Sequence, residues 1–505
     1  MDVSLDPRLP VLVGIGQITI PSSEPEKLEP ADLMAEALRR AERDAGVAGL
    51  LRDIDQLLTV NQLTWRYRND AVAVADRIGA QPRRLATSVV GGNFAGVMMA
   101  RAAKAIYAGE CDSVAICGGE ATRTRTRFRA NGETPPWSTQ DENVLPAEVI
   151  GDSRPMVDEP EIAAGVQLPI HVYPLFEVAL RAQLGLSVDD HRRRIGTLAA
   201  AFASVAANNP YAWIRNAPSA DEIVTPSESN RMISTPYTKY LVSNNQVDQG
   251  GAVLILSVAE AQRRNISPDR WVFFHSASEA IDHWHVSNRI NLHSSPALHI
   301  AGRNAYAMAG ITPHDIAHAD LYSCFTSAVQ IGARELQLLD SDHGGWGGIG
   351  ARIPLTTTGG MTFAGGPFNN YTTHGVATMT NVLRNDPGTF GLCTANGGYT
   401  TEHAVLLLST TPPRHFGYSN PQAEVDALPF VERDESFSGE VEIECATVIY
   451  ENVSPQRALI AALTTNSKTP RRSWCWTDDI SMLNEFETTE CVGRKMQRQA
   501  DGKIV

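Results

Sequence analysis

Two hydrophobic periods alternate along most of the chain. Pro10–Ile20 (PVLVGIGQITI) is a short apolar, β-branched run, the pattern of a buried strand. Beyond it, Leu33, Ala37, Leu38 and Ala41 recur at three- and four-residue spacing, which predicts a helix, and Gly46 is its stop. Strand-like and helix-like segments then follow one another through IDQLLTV, NDAVAVADRIG, VMMARAAKAIYAG and DSVAICGGE. This order predicts an α/β fold with a mainly parallel sheet covered by helices on both faces.

The pattern repeats. Gly96-Val97 opens an apolar helix, Gly109 ends it, a strand follows and Gly118-Gly119 closes the unit. Later, Gly375-Val376 opens a helix, Pro387-Gly388 ends it, TFGLCTAN reads as a strand and Gly397-Gly398 closes. The same 22-residue spacing separates Gly96 from Gly118 and Gly375 from Gly397. Two similar halves are therefore expected, with two helix N-termini meeting at one site. Residues 121–240 break the pattern and read as an insertion; alternation resumes at NNQVDQGGAVLILSVAEA. The expected division is 1–120 with 241–268, the insertion 121–240, a second half 269–411, and an additional β-domain 412–505 built from short strands such as GEVEIECATVIY.

Composition narrows the function classes. The 505 residues are 43% hydrophobic and 20% charged with a net charge of −14, which argues against a nucleic-acid-binding body. From Glu440 onward eight Lys or Arg stand against ten Asp or Glu, so the β-domain carries no cationic groove either. No apolar run approaches the roughly 20 residues of a membrane span. Seven scattered cysteines without a CxxC pair speak against a disulfide framework or a zinc site. The beginning of the chain lacks a secretory signal pattern, so a cytoplasmic location is expected.

Several blocks resemble the thiolase superfamily between Pro10 and about Thr411, most of all bacterial thiolase-like proteins of type 1 with an extra C-terminal domain. NNQVDQGGAVLILSVAEA resembles the thiolase strand after the insertion. LYSCFTSAVQ resembles the block written NEAF or HDCF, GGMTFAGGPFNNYTTHG the stretch that ends in GHP, and GLCTANGGY the block CxGGG. The resemblance implies an αβαβα double α/β unit with a helical insertion, plus a C-terminal all-β, OB-like domain. It implies acyl-CoA thioesters as substrates, with Asn244 and Asn245 on the coenzyme, no permanently bound cofactor, no metal, and a monomer or homodimer.

Three positions depart from the family pattern. Gly92 stands where thiolases place the nucleophilic cysteine, and a glycine cannot carry an acyl group. Gly366 replaces the histidine of GHP, while His374 follows eight residues on as the remaining candidate acid/base. Cys393 keeps the residue type of the last catalytic block but is followed by Ala395. Tyr322 replaces the leading Asn or His of its block, and Tyr371 belongs to a YTTHG run like that of sterol side-chain aldolases. Asn370 is a candidate oxyanion donor. Arg123, Arg125, Arg127 and Arg129 in TRTRTRFR read as a solvated, charge-paired face or as contacts to coenzyme A phosphates. GGWGGIG reads as a loop with no nucleotide fingerprint. Three activities fit: acyl transfer of the acetyl-CoA acetyltransferase kind without the usual cysteine, tyrosine-based retro-aldol cleavage of a hydroxyacyl-CoA, or acyl-CoA binding without catalysis.

Overall fold

The computed structural model describes residues 5–21, 28–465 and 468–505. In the first half the strands are Pro10–Thr19 (β1), Gln56–Thr59 (β2), Arg84–Ser88 (β3) and Ser113–Ala121 (β4). The insertion contributes Glu148–Ile150 (β5), Met232–Ser234 (β6) and Tyr237–Thr238 (β7), and the chain returns through Asp248–Ser257 (β8). The second half holds Val272–Ile281 (β9), Ile316–Asp320 (β10), Phe390–Gly397 (β11) and Glu402–Ser409 (β12). Then come Gly417–Ser419 (β13), Gly439–Glu451 (β14), Ser454–Thr464 (β15), Arg472–Thr477 (β16) and Lys495–Arg498 (β17).

One sheet runs through both halves in the order β10-β11-β12-β9-β1-β8-β4-β2-β3-β5, with β13 beside β9. Its two sides mirror each other. β8 lies antiparallel between β1 and β4, and β12 lies antiparallel between β9 and β11. β2 runs parallel to β4 as β10 runs parallel to β11. The mainly parallel sheet expected from the sequence is thus mixed, because one strand in each half returns antiparallel. The seam is the short β1–β9 pairing of Val11 with Phe273 and Leu12 with Val272.

The helix predicted after β1 spans Pro30–Ala45. Pro30 pre-sets its first turn, Glu29 and Asp32 form a capping box, and Gly46 ends it in the left-handed region at φ 75°. Leu33, Ala37, Leu38 and Ala41 are all fully buried, as the periodicity requires. The two helices of the repeat are Phe94–Ala108 and Tyr371–Asn385. TRTRTRFR is a helix, Thr122–Ala130, so its arginines do not share a face as they would on a strand. None of the four is in an ion pair among the described residues, so the expected charge pairing is absent.

The C-terminal region is β-rich and also carries the helix Ile480–Thr488. Its sheet is completed by the insertion, since β6 pairs with β14 at Ser234 and Ile449. Arg472, fully buried, fastens it to the second half. Its guanidinium grips Glu444 through two 2.7 Å bonds and donates to the carbonyls of Ser287 and Arg289 at 2.9 and 2.7 Å. No helix among the described residues is long and apolar enough to cross a membrane.

Candidate active site

A cleft of about 480 Å³ opens where the two halves and the insertion meet. Gly91 and Gly92 enter it from the turn before the Phe94 helix, Tyr322 and Cys324 from the segment after β10, and Asn396 to Tyr399 from the end of β11. Ser243 and Asn245 enter from the segment before β8, and Tyr173 from the insertion helix Pro169–Gln183. Leu63, Val90 and Leu168 at its edge are 42%, 58% and 47% exposed. Large apolar side chains open to solvent at a concave surface mark a ligand site.

The space beside Gly92 and Gly366 is filled from neighbouring elements. A Cβ on Gly92 would lie 2.5 Å from Asn396 O, 2.8 Å from Tyr322 Cζ and closer still to the Tyr322 hydroxyl. A Cβ on Gly366 would overlap Ser243 Oγ and lie 3.2 Å from Asn245 Oδ1. The Tyr322 phenol and the Ser243 hydroxyl therefore occupy the space that side chains at 92 and 366 would need.

Tyr322 is held from behind. Its backbone N–H donates to Thr394 Oγ1 at 2.8 Å, and its ring meets Tyr371 edge-on at 5.6 Å. The Tyr371 hydroxyl donates to Asp320 Oδ1 at 3.0 Å and pairs with Thr358 Oγ1 at 2.7 Å. The other oxygen of Asp320 accepts from the backbone N–H groups of Thr357 and Thr358 at 2.8 and 3.1 Å and from the hydroxyls of Thr356, Thr357 and Thr358. The threonine run is thus a clamp around a buried carboxylate. Burial pushes Asp320 up, and these hydrogen bonds hold it back.

The titratable groups lining the cleft are Tyr173, Tyr322, Tyr399 and Cys324, with no Asp, Glu, His, Lys or Arg. Burial pushes Cys324 and Tyr399 up to about 12 and lifts Tyr173 and Tyr322 well above the ordinary phenol value, so all four are neutral near pH 7. Tyr173 is fully engaged: its hydroxyl accepts from Asn396 Nδ2 and Thr400 N and donates to Gly398 O. Tyr399 donates to Gln167 O. The Tyr322 hydroxyl has no hydrogen-bond partner among the described residues.

The other expected residues lie elsewhere. His374 falls in the first turn of the Tyr371 helix, on the face toward β1 and β8, and does not line the cleft. Its Nδ1 pairs with Gln17 Oε1 at 2.9 Å, its Nε2 has no partner, and burial lowers its pKa to about 4. Tyr371 is spent on Asp320, and Asn370 Nδ2 on Gly118 O at 2.8 Å. Cys393 belongs to the core, where burial pushes its thiol far up. Strand alternation explains this: Cys393 and Ala395 share one face of β11, while Thr394 and Asn396 face the cleft side. Asn245 lines the cleft, but Asn244 turns back to accept from Gln246 N. Asn369, ahead of the Tyr371 helix, accepts from Gly91 N at 3.2 Å and so joins the two helix starts. Ser243 and Asn396 carried no sequence signal, apart from the two-residue alternation that sets Asn396 opposite Cys393.

No residue of the C-terminal region lines the cleft, so it does not close the site directly. It packs against the Pro169–Gln183 helix, which carries the cleft residues Ile170 and Tyr173. No group of three or more His, Cys, Asp or Glu among the described residues is arranged to hold a metal ion.

Residues 278–410 match the family described as thiolase C-terminal domain-like. The crystal structure of a monomeric SCP2-thiolase-like protein type 1 from Mycobacterium smegmatis is similar at 31% identity and TM-score 0.83, covering 99% of this chain and 100% of that one. A 17-hydroxy-3-oxo-4-pregnene-20-carboxyl-CoA lyase of Mycobacterium tuberculosis is 27% identical over 65% of this chain and 81% of its own length. A steroid side-chain-cleaving aldolase of Thermomonospora curvata is 26% identical over 48% of this chain and 62% of its own length. With its mirrored halves, its cleft at the paired helix starts and a full-length relative above 30% identity, the chain belongs to the thiolase superfamily.

Proposed function

We propose that the protein is an aldolase that cleaves a 3-hydroxyacyl-CoA thioester carrying a bulky apolar group, with Tyr322 as its proton-transfer residue. The observation that carries this reading is the Tyr322 hydroxyl, unpartnered and in the space left by Gly92. An acyl-enzyme at residue 92 is excluded because glycine has no nucleophile. Retro-aldol chemistry needs none. The Tyr322 oxygen, as phenolate, takes the proton from the C3 hydroxyl. The C2–C3 electron pair moves to C2, giving an enolate whose charge rests on the thioester oxygen, and C3 leaves as a ketone. Water protonates C2 to complete the shortened acyl-CoA, and the hydroxide it leaves takes the proton back from the Tyr322 phenol and restores the phenolate.

The enolate oxygen faces the start of the Phe94–Ala108 helix. Its N-cap, Asn93, makes no side-chain cap bond, and with the Phe94 N–H spent on Gly91 O, the Ala95 and Gly96 N–H groups and the positive end of the helix are left for an anion. Apolar Leu63, Met156, Leu168 and Ile170 suit a hydrophobic acyl group. Arg125, whose Nη1 lies 3.5 Å from Leu63 O at the cleft edge, supports coenzyme A phosphates there. The names of the two curated relatives, a CoA lyase and an aldolase, favour the same chemistry.

The test is cleavage of a 3-hydroxyacyl-CoA with a tertiary hydroxyl on a ring, with the ketone followed by mass spectrometry. Tyr322→Phe should cost about 10²–10⁴ in turnover with thioester affinity little changed. An acyl adduct on Cys324 in the intact protein would replace this mechanism with a covalent one. Tight thioester binding without ketone release across a ring-size series would make the protein a binder.

A further inference from the structure

A second concavity, of about 830 Å³, shares no lining residue with the cleft. It lies between the Val188–Asn208 helix, the Tyr371–Asn385 helix and the loop Gly344–Gly350. That loop is the GGWGGIG motif. Gly344, Gly345, Gly347, Gly348 and Gly350 all have positive φ, between 59° and 82°. Five left-handed glycines make a backbone that ordinary residues would not adopt, and it carries one large side chain, Trp346. The Trp346 ring is braced against Phe202 at 5.4 Å, and its backbone N–H donates to Ala351 O at 2.8 Å. Its indole N–H has no partner among the described residues, and neither do the Tyr211 hydroxyl and the Asn381 side chain. Asn208 and Asn385 spend their NH2 groups on the carbonyls of Ser204 and Asn381, which leaves their side-chain oxygens unpaired.

The chemistry of this lining is narrow. It holds two aromatic rings, the aliphatic side chains of Ala201, Val205, Pro210 and Val382, a set of amides and hydroxyls, and no Lys, Arg, Asp, Glu or His. A phosphorylated ligand would find no cation to pair with, and a carboxylate or ammonium would find no counter-charge. A sterol would leave the amides unpaired. We propose that this groove binds an uncharged saccharide, with one sugar face stacked on Trp346 and its hydroxyls hydrogen-bonded by Tyr211, Asn381, Asn208 and Asn385. A pyranose presents an apolar C–H face and a rim of paired hydroxyls. An aromatic platform ringed by side-chain amides matches both. The size falls in the range of small-molecule sites.

Saturation-transfer NMR on the full chain with maltose, cellobiose, lactose and trehalose tests this. At least one should show transfer to its C–H face protons, with millimolar affinity by calorimetry. Trp346→Ala should weaken it at least about tenfold, or 1.4 kcal/mol. Tyr211→Phe, which removes one hydroxyl and keeps the ring, should weaken it severalfold and guards against a folding defect in the first variant. Acyl-CoA binding in the cleft should be unchanged in both. No transfer from any of the four sugars overturns the proposal. So does transfer that survives in both variants. Transfer from N-acetyl-dialanine amide with none from the sugars would make the groove a peptide site and also overturns it.

Discussion

Placing a thiol at residue 92, where the family resemblance puts the nucleophile, by Gly92→Cys should damage the protein instead of creating a thiolase. A Cβ at this position would be 2.5 Å from Asn396 O and 2.8 Å from Tyr322 Cζ, where real Cβ contacts below 3.0 Å essentially never occur. The phenol can be removed by a second substitution, but the Asn396 carbonyl is backbone at the end of β11 and cannot rotate away. Overpacking of this kind costs about 1–3 kcal/mol, and the rigid carbonyl places Gly92→Cys at the upper end. Equilibrium urea denaturation of Gly92→Ala, Gly92→Cys and Gly92→Ala/Tyr322→Ala separates the two clashes. The double variant should recover only the part owed to the phenol, and the remainder measures the carbonyl. Incubation of Gly92→Cys with acetoacetyl-CoA should leave its intact mass unchanged, because the thiol has no room to be approached. Parent-like stability of Gly92→Ala, or an acetyl group on the introduced thiol of Gly92→Cys, would refute the claim that Tyr322 has taken the nucleophile's place.

Other consequences follow from the same geometry. Because burial holds the Tyr322 phenol protonated, only a small phenolate fraction exists near neutrality; cleavage turnover should climb with pH through 7–10 without a plateau, and a bell-shaped profile centred near 7 would point to another base. Arg125→Ala should weaken binding of a coenzyme A thioester severalfold while leaving a pantetheine thioester unaffected, measured by calorimetry at low salt. Arg472→Ala strands Glu444 and the carbonyls of Ser287 and Arg289, and should cost about 3–5 kcal/mol with faster proteolysis of the C-terminal region. His374 lies off the cleft, so His374→Gln should leave turnover within about threefold of the parent by the same ketone assay. Its folded pKa of about 4 is below the ordinary value of 6.5, so the unfolded chain takes up a proton first as pH falls. Stability should therefore drop between pH 6.5 and 4, by up to about 3 kcal/mol, and His374→Gln should flatten that slope in urea titrations.

The fold was readable because its signals are local. The helix from Pro30 announces itself by Leu33, Ala37, Leu38 and Ala41 and by its glycine stop, and the repeat announces itself by matched glycines in matched order. The strand directions were not, because whether β8 and β12 run with or against their neighbours depends on pairings far along the chain. The absence of a nucleophile at Gly92 was legible from one residue. What replaced it was not: the overlap of Tyr322 with Gly92 joins positions 230 apart, and that of Ser243 with Gly366 joins positions 123 apart. His374 was misplaced for a related reason. The sequence shows it only as the histidine eight residues beyond the GHP position, whereas residue 374 is already helical, and helical geometry turns it toward Gln17. Cys393 fell to the two-residue period of its own strand.

The two replacements share one physical logic. In this fold the turn before each repeat helix brings backbone close to the cleft, and a glycine there frees a volume about the size of a side chain. A void of that size in a packed wall would cost stability. Each is instead filled by a polar atom from an adjoining segment, Tyr322 Oη in one case and Ser243 Oγ in the other. The filling atoms are hydroxyls, with neither a thiolate nor an imidazole among them, so the site can pass protons and donate hydrogen bonds, while residues 92 and 366 themselves offer no side chain to acylate. The buried Asp320, gripped by three threonines and Tyr371, then acts as a brace: it fixes Tyr371, against whose edge the Tyr322 ring is set. Loosening that brace by Thr358→Val should disturb Tyr322 without touching the cleft. It should lower turnover while leaving thioester affinity near the parent's, and equal losses in both would show that Asp320 serves the fold alone.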